Sequence, residues 1–259
     1  MTAEQLDIVR VYRVEIALFV VLYAFAEVIW LRIRKRREHA LPEVLANVAI
    51  YVVDTGIRLA TWPARLAAFV LVASLSPLRI ETGIASVALC YVGVDLILYG
   101  WHRVLHETEL GWALHSVHHT SRELNVSVGV RINWLQRAID DVVYLPLVAL
   151  GFEPLLVLAM VAFNRFSQYW VHTEMIGKLP PLDPWLNTPS NHRVHHASIA
   201  GGRRANYGST FMIWDRLFGS YRREAGATAY GTDAGELGAN PLTIQLAGLR
   251  DYVRKRVAH

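Results

Sequence analysis

The chain has 259 residues, 53% of them hydrophobic, and a formal net charge of +4. Its apolar residues fall in blocks, which argues against an ordinary soluble domain, and its basic balance comes from arginine clusters that suit anionic lipid headgroups better than nucleic acid. A lone cysteine, Cys90, excludes both a disulfide framework and a cysteine-based zinc site.

In chain order, residues 1–13 are short and polar, and nothing there is expected to act as a cleavable signal peptide. Val14 to Leu31 forms the first apolar run, close to the ~20 residues that a crossing needs. RIRKRR at 32–37 follows it, and such a basic block is expected to stay in the cytoplasm. Val44 to Ser76 holds two apolar pieces separated by Arg58, Thr61, Pro63 and Arg65, which predicts one crossing plus a shorter interfacial or re-entrant piece. Ile84 to Trp101 is the next span, and parity brings His102 out at the cytoplasmic face. Residues 121–140 are mixed and polar, and are expected along the interface. Val142 to Val171 is broken at Gly151-Phe152-Glu153-Pro154, which predicts two short helices entering and leaving from one side. Residues 177–190 carry turn chemistry, and 224–240 read as a Gly/Ala-rich loop. The last twenty residues suit a basic amphipathic helix at the membrane surface. The expected fold is all-α: one integral-membrane helical bundle over 1–259, with about four spanning or hairpin helices under a cytoplasmic histidine-rich cap.

Nine of the eleven histidines cluster, at 102, 106, 115, 118, 119, 172, 192, 195 and 196; His39 and His259 stand apart. His102/His106 and His115/His119 are four residues apart, and His192, His195 and His196 repeat the three- and four-residue spacings of His115, His118 and His119. On a helix such neighbours lie about 5–6 Å apart at Cβ, within reach of one metal ion. His172 stands alone in WVHTE, with Gln168 one turn before it. Nine imidazoles exceed what one metal takes, so two metals, each with four or five imidazoles and an open position, account for the count. HETEL at 106–110 fails as a zinc-protease motif because position 110 is leucine, and no Glu-x-x-His supports a carboxylate-bridged bundle. Iron is preferred over zinc on chemical grounds, because iron activates dioxygen. Asp95, Asn191 and Asn206 are expected to support the ligands from behind, with Asp95 accepting a ring N–H.

HRVLH preceded by Asp95, then HSVHH, HTE, TPSNHRVHH and NYGSTFMIWDRLFGSY together resemble the fatty acid hydroxylase / sterol desaturase superfamily over 95–221. WVHTE and the 206–221 segment look most like small bacterial relatives of its alkylglycerol monooxygenase branch. The resemblance implies a helical membrane anchor, a histidine-ligated iron pair (zinc as purified is the other occupant) and O2-dependent oxidation of an unactivated C–H bond. It also implies a membrane lipid substrate (fatty acyl, ether lipid, sterol or isoprenoid chain) and a bacterial inner membrane with the site facing the cytoplasm. Position 191 is Asn where many members carry His, and Arg204-Ala205 replaces a common acidic-basic pair. No fused haem domain is recognised, so a separate protein or a small reductant is expected to supply electrons. Desaturation by the same metals, or zinc-dependent hydrolysis without redox chemistry, stays open.

Overall fold

The computed structural model describes residues 22, 23, 25–27, 29, 30, 33, 40–198, 205–226, 229–233, 235 and 237–258. The expected first span and its basic flank therefore fall largely outside the described residues, as do His39 and His259. Among the described residues the regular structure is helical, with two isolated antiparallel bridges, Leu186–Phe211 and Ala197–Tyr230. Two helices, α1 (Ala40–Leu75) and α2 (Ile84–Glu107), are long and apolar enough to cross a membrane.

Helix α1 is one continuous element of 36 residues with Pro63 inside it, where the sequence predicted two pieces. Proline removes only the N–H that would reach the Leu59 carbonyl, and side chains add bonds to carbonyls of the preceding turn. Thr61 donates to the Ile57 carbonyl at 2.8 Å, and Arg65 to the Arg58 carbonyl at 2.6 Å. At 1.5 Å per residue α1 is about 54 Å long, well beyond a ~30 Å hydrocarbon layer, so its length exceeds what a crossing needs. Exposed side chains such as Leu45, Val52, Leu59 and Leu71 on α1, and Ile84, Leu89 and Leu96 on α2, give the pair an apolar outer face.

Thr108 ends α2 and caps α3 (Glu109–His119), accepting the Gly111 N–H at 3.1 Å. A Cβ at Gly111 would lie 2.7 Å from the Leu105 Cα, so glycine permits the tight turn that folds α3 back beside α2. After a short turn (126–130) comes α4 (Trp134–Ile139). The 142–171 segment holds two short helices of unequal length, α5 (Leu145–Ala149) and, after Gly151 with φ +101°, α6 (Pro154–Ser167). Fourteen residues make α6 about 21 Å long, less than the hydrocarbon thickness. Cys90 and Val94 of α2 pack with Phe69, Leu147, Val157 and Val161 in the main core, where Cys90 serves as a packing residue.

Residues 121–140 are mostly buried rather than lying along an interface. Arg131 makes this possible. Only 1% exposed, it donates to Thr120 Oγ1 at 2.7 Å, the Val117 carbonyl at 3.0 Å and Asn47 Oδ1 at 3.0 Å, with Glu43 at 3.2 Å. A guanidinium with its donors spent in this way can stay charged inside, and it ties the end of α3 to α1. The remaining helices are α7 (Pro189–His196), α8 (Ile213–Leu217) and α9 (Pro241–Val257), which packs so closely on α3 that a Cβ at Gly248 would overlap the Ala113 carbonyl.

Candidate metal centre

The nine clustered histidines meet at the end of α2, in two groups. His102, His106, His115, His119 and His195 form one; His118, His172, His192 and His196 form the other. Within each group the nearest ring nitrogens all lie within 4.8 Å of one another. Eight of the nine are buried and His102 is half-buried.

Helix geometry divides each H-x-x-H-H run. Successive residues turn about 100°, so i and i+4 lie about 40° apart while i+3 falls about 60° to the other side. His115 and His119 of α3 accordingly enter the first group and His118 the second. On α7 His192 and His196 enter the second group and His195 the first. Each helix therefore feeds both groups in opposite proportion, and His119 stacks on His196 across the divide with ring centroids 4.4 Å apart.

Four rings have Nδ1 fixed from outside by an oxygen, and a fifth, His192, has Nδ1 at 3.3 Å from the Asn187 amide nitrogen. His102 Nδ1 meets the Tyr207 carbonyl at 2.9 Å, His172 Nδ1 the Gln168 carbonyl at 2.8 Å, and His195 Nδ1 the Ala205 carbonyl at 2.9 Å. His115 Nδ1 meets Gln136 Oε1 at 3.1 Å. Because these oxygens only accept, each Nδ1 carries the hydrogen, and a neutral ring then leaves Nε2 as a lone pair aimed inward. Two such lone pairs, His102 Nε2 and His115 Nε2, face each other at 3.1 Å. Burial, the largest influence, holds His115, His118, His119, His192, His195 and His196 well below the ordinary histidine value, with neighbouring imidazoles adding to it. Burial also lowers His172, to about 4, against the raising effect of its Gln168 hydrogen bond. The rings are thus neutral at pH 7, and lone pairs facing at 3.1 Å repel unless a cation sits between them. His106 Nδ1 and Nε2, His119 Nδ1 and Nε2, and His195 Nε2 are buried without a hydrogen-bond partner. Orphaned buried acceptors and an all-imidazole donor set fit two divalent or trivalent transition metals.

Gln136 and the carbonyls of Ala205 and Tyr207 were not among the residues singled out from the sequence. Backbone carbonyls leave no residue-type signal, and Gln136 is legible only as a polar residue next to a predicted apolar run. Asp95 lies elsewhere than expected. Its carboxylate accepts from Ser209 Oγ at 2.5 Å, Trp214 Nε1 at 2.8 Å, the Thr210 N–H at 2.9 Å, Asn164 Nδ2 at 3.1 Å and the Phe211 N–H at 3.3 Å. Those donors fill the carboxylate, so Asp95 fixes the 209–214 loop, and the ring N–H expected to reach it goes to a carbonyl instead. Asn206, in the left-handed region at φ 55°, donates to the Asn191 carbonyl at 3.0 Å and the Arg222 carbonyl at 2.8 Å. Asn191 donates to the carbonyls of Asp183 at 2.8 Å and Leu186 at 2.9 Å. Both asparagines thus hold the backbone around α7. Asp215 does the same for the carbonyl facing His102, accepting the Tyr207 N–H at 2.8 Å and the Gly208 N–H at 2.7 Å.

A pH dependence follows from these neutral rings. Each has a folded-state value below its unfolded one, so the unfolded chain binds more protons once the pH falls below about 6.5. Stability is full above that pH and is lost as acid is added, with His172 finishing its share near its folded value of about 4. Thermal melts of the metal-free protein in detergent are expected to drop steeply between pH 7 and pH 5, and a flat profile there would contradict it.

The profile of the family described as Fatty acid hydroxylase matches residues 87–220, just over half the chain. The chain is 38% identical over 143 residues to alkylglycerol monooxygenase of Xenopus tropicalis, covering 55% of this chain and 32% of that protein. It is 40% identical over 141 residues to the Homo sapiens alkylglycerol monooxygenase, covering 54% and 32%. With ornithine lipid hydroxylase OlsE of Rhizobium tropici it shares 30% identity over 136 residues, covering 52% and 41%. The chain thus spans about a third of the length of the alkylglycerol monooxygenases it matches. No solved structure matches.

Proposed function

The chain belongs to the fatty acid hydroxylase family, and we propose that it is an O2-dependent monooxygenase that hydroxylates an unactivated C–H bond of a membrane lipid. The observation that carries this is the pair of histidine groups, each with its ring nitrogens within 4.8 Å of one another, and with the nitrogens of His106 and His119 and Nε2 of His195 buried without a hydrogen-bond partner. His102, His106, His115, His119 and His195 would hold one iron ion, and His118, His172, His192 and His196 the other. Bound there, the irons would supply the redox capacity to place one atom of O2 in a C–H bond.

The protein's own part is positioning and exclusion of water. A cavity of about 90 Å3 touches His102 and His115 of the first group and His118, His172 and His192 of the second. Leu98, Leu105 and Ile132 give it apolar wall, which suits the reacting carbon chain. Arg58, Arg137 and Arg165 also line it, each paired with a carboxylate: Arg58 with Asp54 at 3.9 Å, Arg137 with Asp54 at 3.3 Å and Arg165 with Asp141 at 2.7 Å. Arg193 is likewise spent: it pairs with Glu224 at 2.6 Å and donates to the Thr173 and Ile176 carbonyls. The relatives that act on alkylglycerols and on ornithine lipid support a substrate with a polar head and an apolar chain. In this reading α1 and α2 belong to a multi-pass anchor that presents the 95–221 catalytic region at the cytoplasmic face. Electrons come from a separate protein or a small reductant.

Anaerobic purification with metal analysis, followed by O2 uptake and lipid mass spectrometry, tests this. Two irons per chain, reductant-dependent O2 use and a lipid heavier by one oxygen atom are expected. A product lighter by two hydrogens would instead make it a desaturase. Lipid hydrolysis without O2 use would overturn the oxygenase altogether.

A further inference from the structure

Helix α9 is held by protein on one side and open on the other. Ile244 packs with Ala46 and Ile50 of α1 and Val117 of α3, and Gly248 abuts the Ala113 carbonyl of α3. At about 100° per residue, Leu242, Leu246, Leu249, Val253 and Val257 fall within about 80° of one another on the far face. Leu249 is half-buried, and the other four are 60%, 41%, 56% and 81% exposed. The stripe runs the length of the helix, so it is a continuous apolar strip rather than the scattered exposure of single residues.

The charges bordering that stripe have one sign. Arg250 and Arg254, both exposed, flank it on one side, and Arg256 flanks it on the other. Arg256 is already engaged: it pairs with Glu109 at 3.2 Å, and its guanidinium lies 4.9 Å from the centre of the Tyr252 ring. Asp251, the one carboxylate of α9, sits about 160° around the helix from the stripe and lines the cavity between α9 and α3. Aliphatic side chains bordered by guanidiniums, with the carboxylate turned inward, match an anionic phospholipid surface. The aliphatic groups enter the acyl boundary while the arginines stay with the phosphates. A second copy of this chain would set the same arginines against each other, which opposes that occupant.

We propose that the outer face of α9 lies in the headgroup layer of an anionic bilayer, with Leu246 and Val253 among the acyl chains and Arg250 and Arg254 against lipid phosphates. The inference rests on α1 and α2 crossing that bilayer. Helix α9 packs on α3, which follows α2 directly at Thr108 and carries His115, His118 and His119. The same contact therefore seats the histidine-bearing helix beside the surface from which a lipid reaches the centre. A neutral surface keeps the apolar attraction but loses the phosphates, so docking depends on lipid charge and weakens with salt.

Nitroxide labels on the whole chain in lipid nanodiscs test this, in a Cys90→Ala background so that one introduced cysteine carries each label. Val253→Cys reports on the stripe, and Leu89→Cys, on the exposed face of α2, reports on the anchor. In phosphatidylglycerol discs the Val253 label should meet O2 more readily than an aqueous nickel chelate, as the Leu89 label does. In phosphatidylcholine discs, or with Arg250→Glu and Arg254→Glu together, that preference should fall severalfold at Val253 and stay unchanged at Leu89. A Val253 label that favours the chelate in phosphatidylglycerol overturns the proposal. So does a label that neither reagent reaches, or one broadened by the spin of a second copy, because protein then covers the stripe. Equal preference in both lipids overturns the anionic partner. A Leu89 label that favours the chelate sinks the membrane anchor itself, whereas a lipid-facing Leu89 with a water-facing Val253 sinks this inference alone.

Discussion

His195→Ala is expected to leave the protein with one iron instead of two and to remove O2-dependent lipid oxidation. His195 is fully buried, its Nδ1 is held by the Ala205 carbonyl, and its Nε2 has no hydrogen-bond partner. It is the only member of the five-histidine group contributed by α7; the other four come from α2 and α3. Its loss separates the first group from the helix that also carries His192 and His196. Removing only a partner behind a metal ligand costs about 10–100-fold in affinity or activity, so deleting the ligand itself should exceed that. His118→Ala is the mirror experiment, because His118 is the member of the second group supplied by α3. Metal analysis by mass spectrometry, with O2 uptake alongside, decides both. Full retention of two irons in either variant would sink the assignment of ligands, and a fold that survives by circular dichroism separates ligand loss from unfolding.

Why one run of residues serves two metals was not legible in the residue spacing alone. The four-residue intervals announce that rings share a helix face, and the structure brings all nine together. The same intervals do not say that the i+3 ring turns away to a second group, because that depends on what stands opposite. Here α3 and α7 each have a histidine group on either flank, so each ring finds partners whichever way it turns. Position 172 was the weakest of the nine in sequence, a single histidine after an apolar stretch. Its place is set by the short turn at 169–171 and by the Gln168 carbonyl, which are backbone features.

Elsewhere the sequence misled for physical reasons that can be named. Polarity at 121–140 suggested an interface, yet those polar groups bond to one another and to α1 through Arg131, so their polarity is internal. Pro63 suggested a break, yet the helix runs through it. Composition reports how polar a segment is, and it does not report whether that polarity is already satisfied. The apolar character of α1 and α2 was easier to read, because bulk hydropathy over a long helix does not depend on partners.

Asp95→Ala is expected to cost both stability and metal, starting with the five-histidine group. The carboxylate is fully buried and accepts from five donors, four of them in the 209–214 segment. Each donor left buried and unpaired costs about 1–3 kcal/mol, so several kcal/mol follow even after partial relaxation. A chain of this size loses roughly 2–4 °C of melting temperature per kcal/mol, which gives a fall that is easily resolved in detergent. The effect on metal comes from the neighbouring carbonyls. The Tyr207 carbonyl, which fixes the His102 tautomer, precedes the anchored loop, and its own N–H is bound by Asp215 within the same unit. Release of the loop lets that carbonyl drift, so His102 no longer has Nδ1 pinned as the protonated nitrogen. Asp95→Asn keeps one acceptor oxygen but turns an NH2 toward donors, so it should fall between wild type and Ala in both melting temperature and iron content. If Asp95→Ala melts as wild type and holds two irons, the loop does not depend on this carboxylate and the indirect control of His102 is wrong. If its melting temperature falls while both irons stay bound, Asp95 acts on the fold alone.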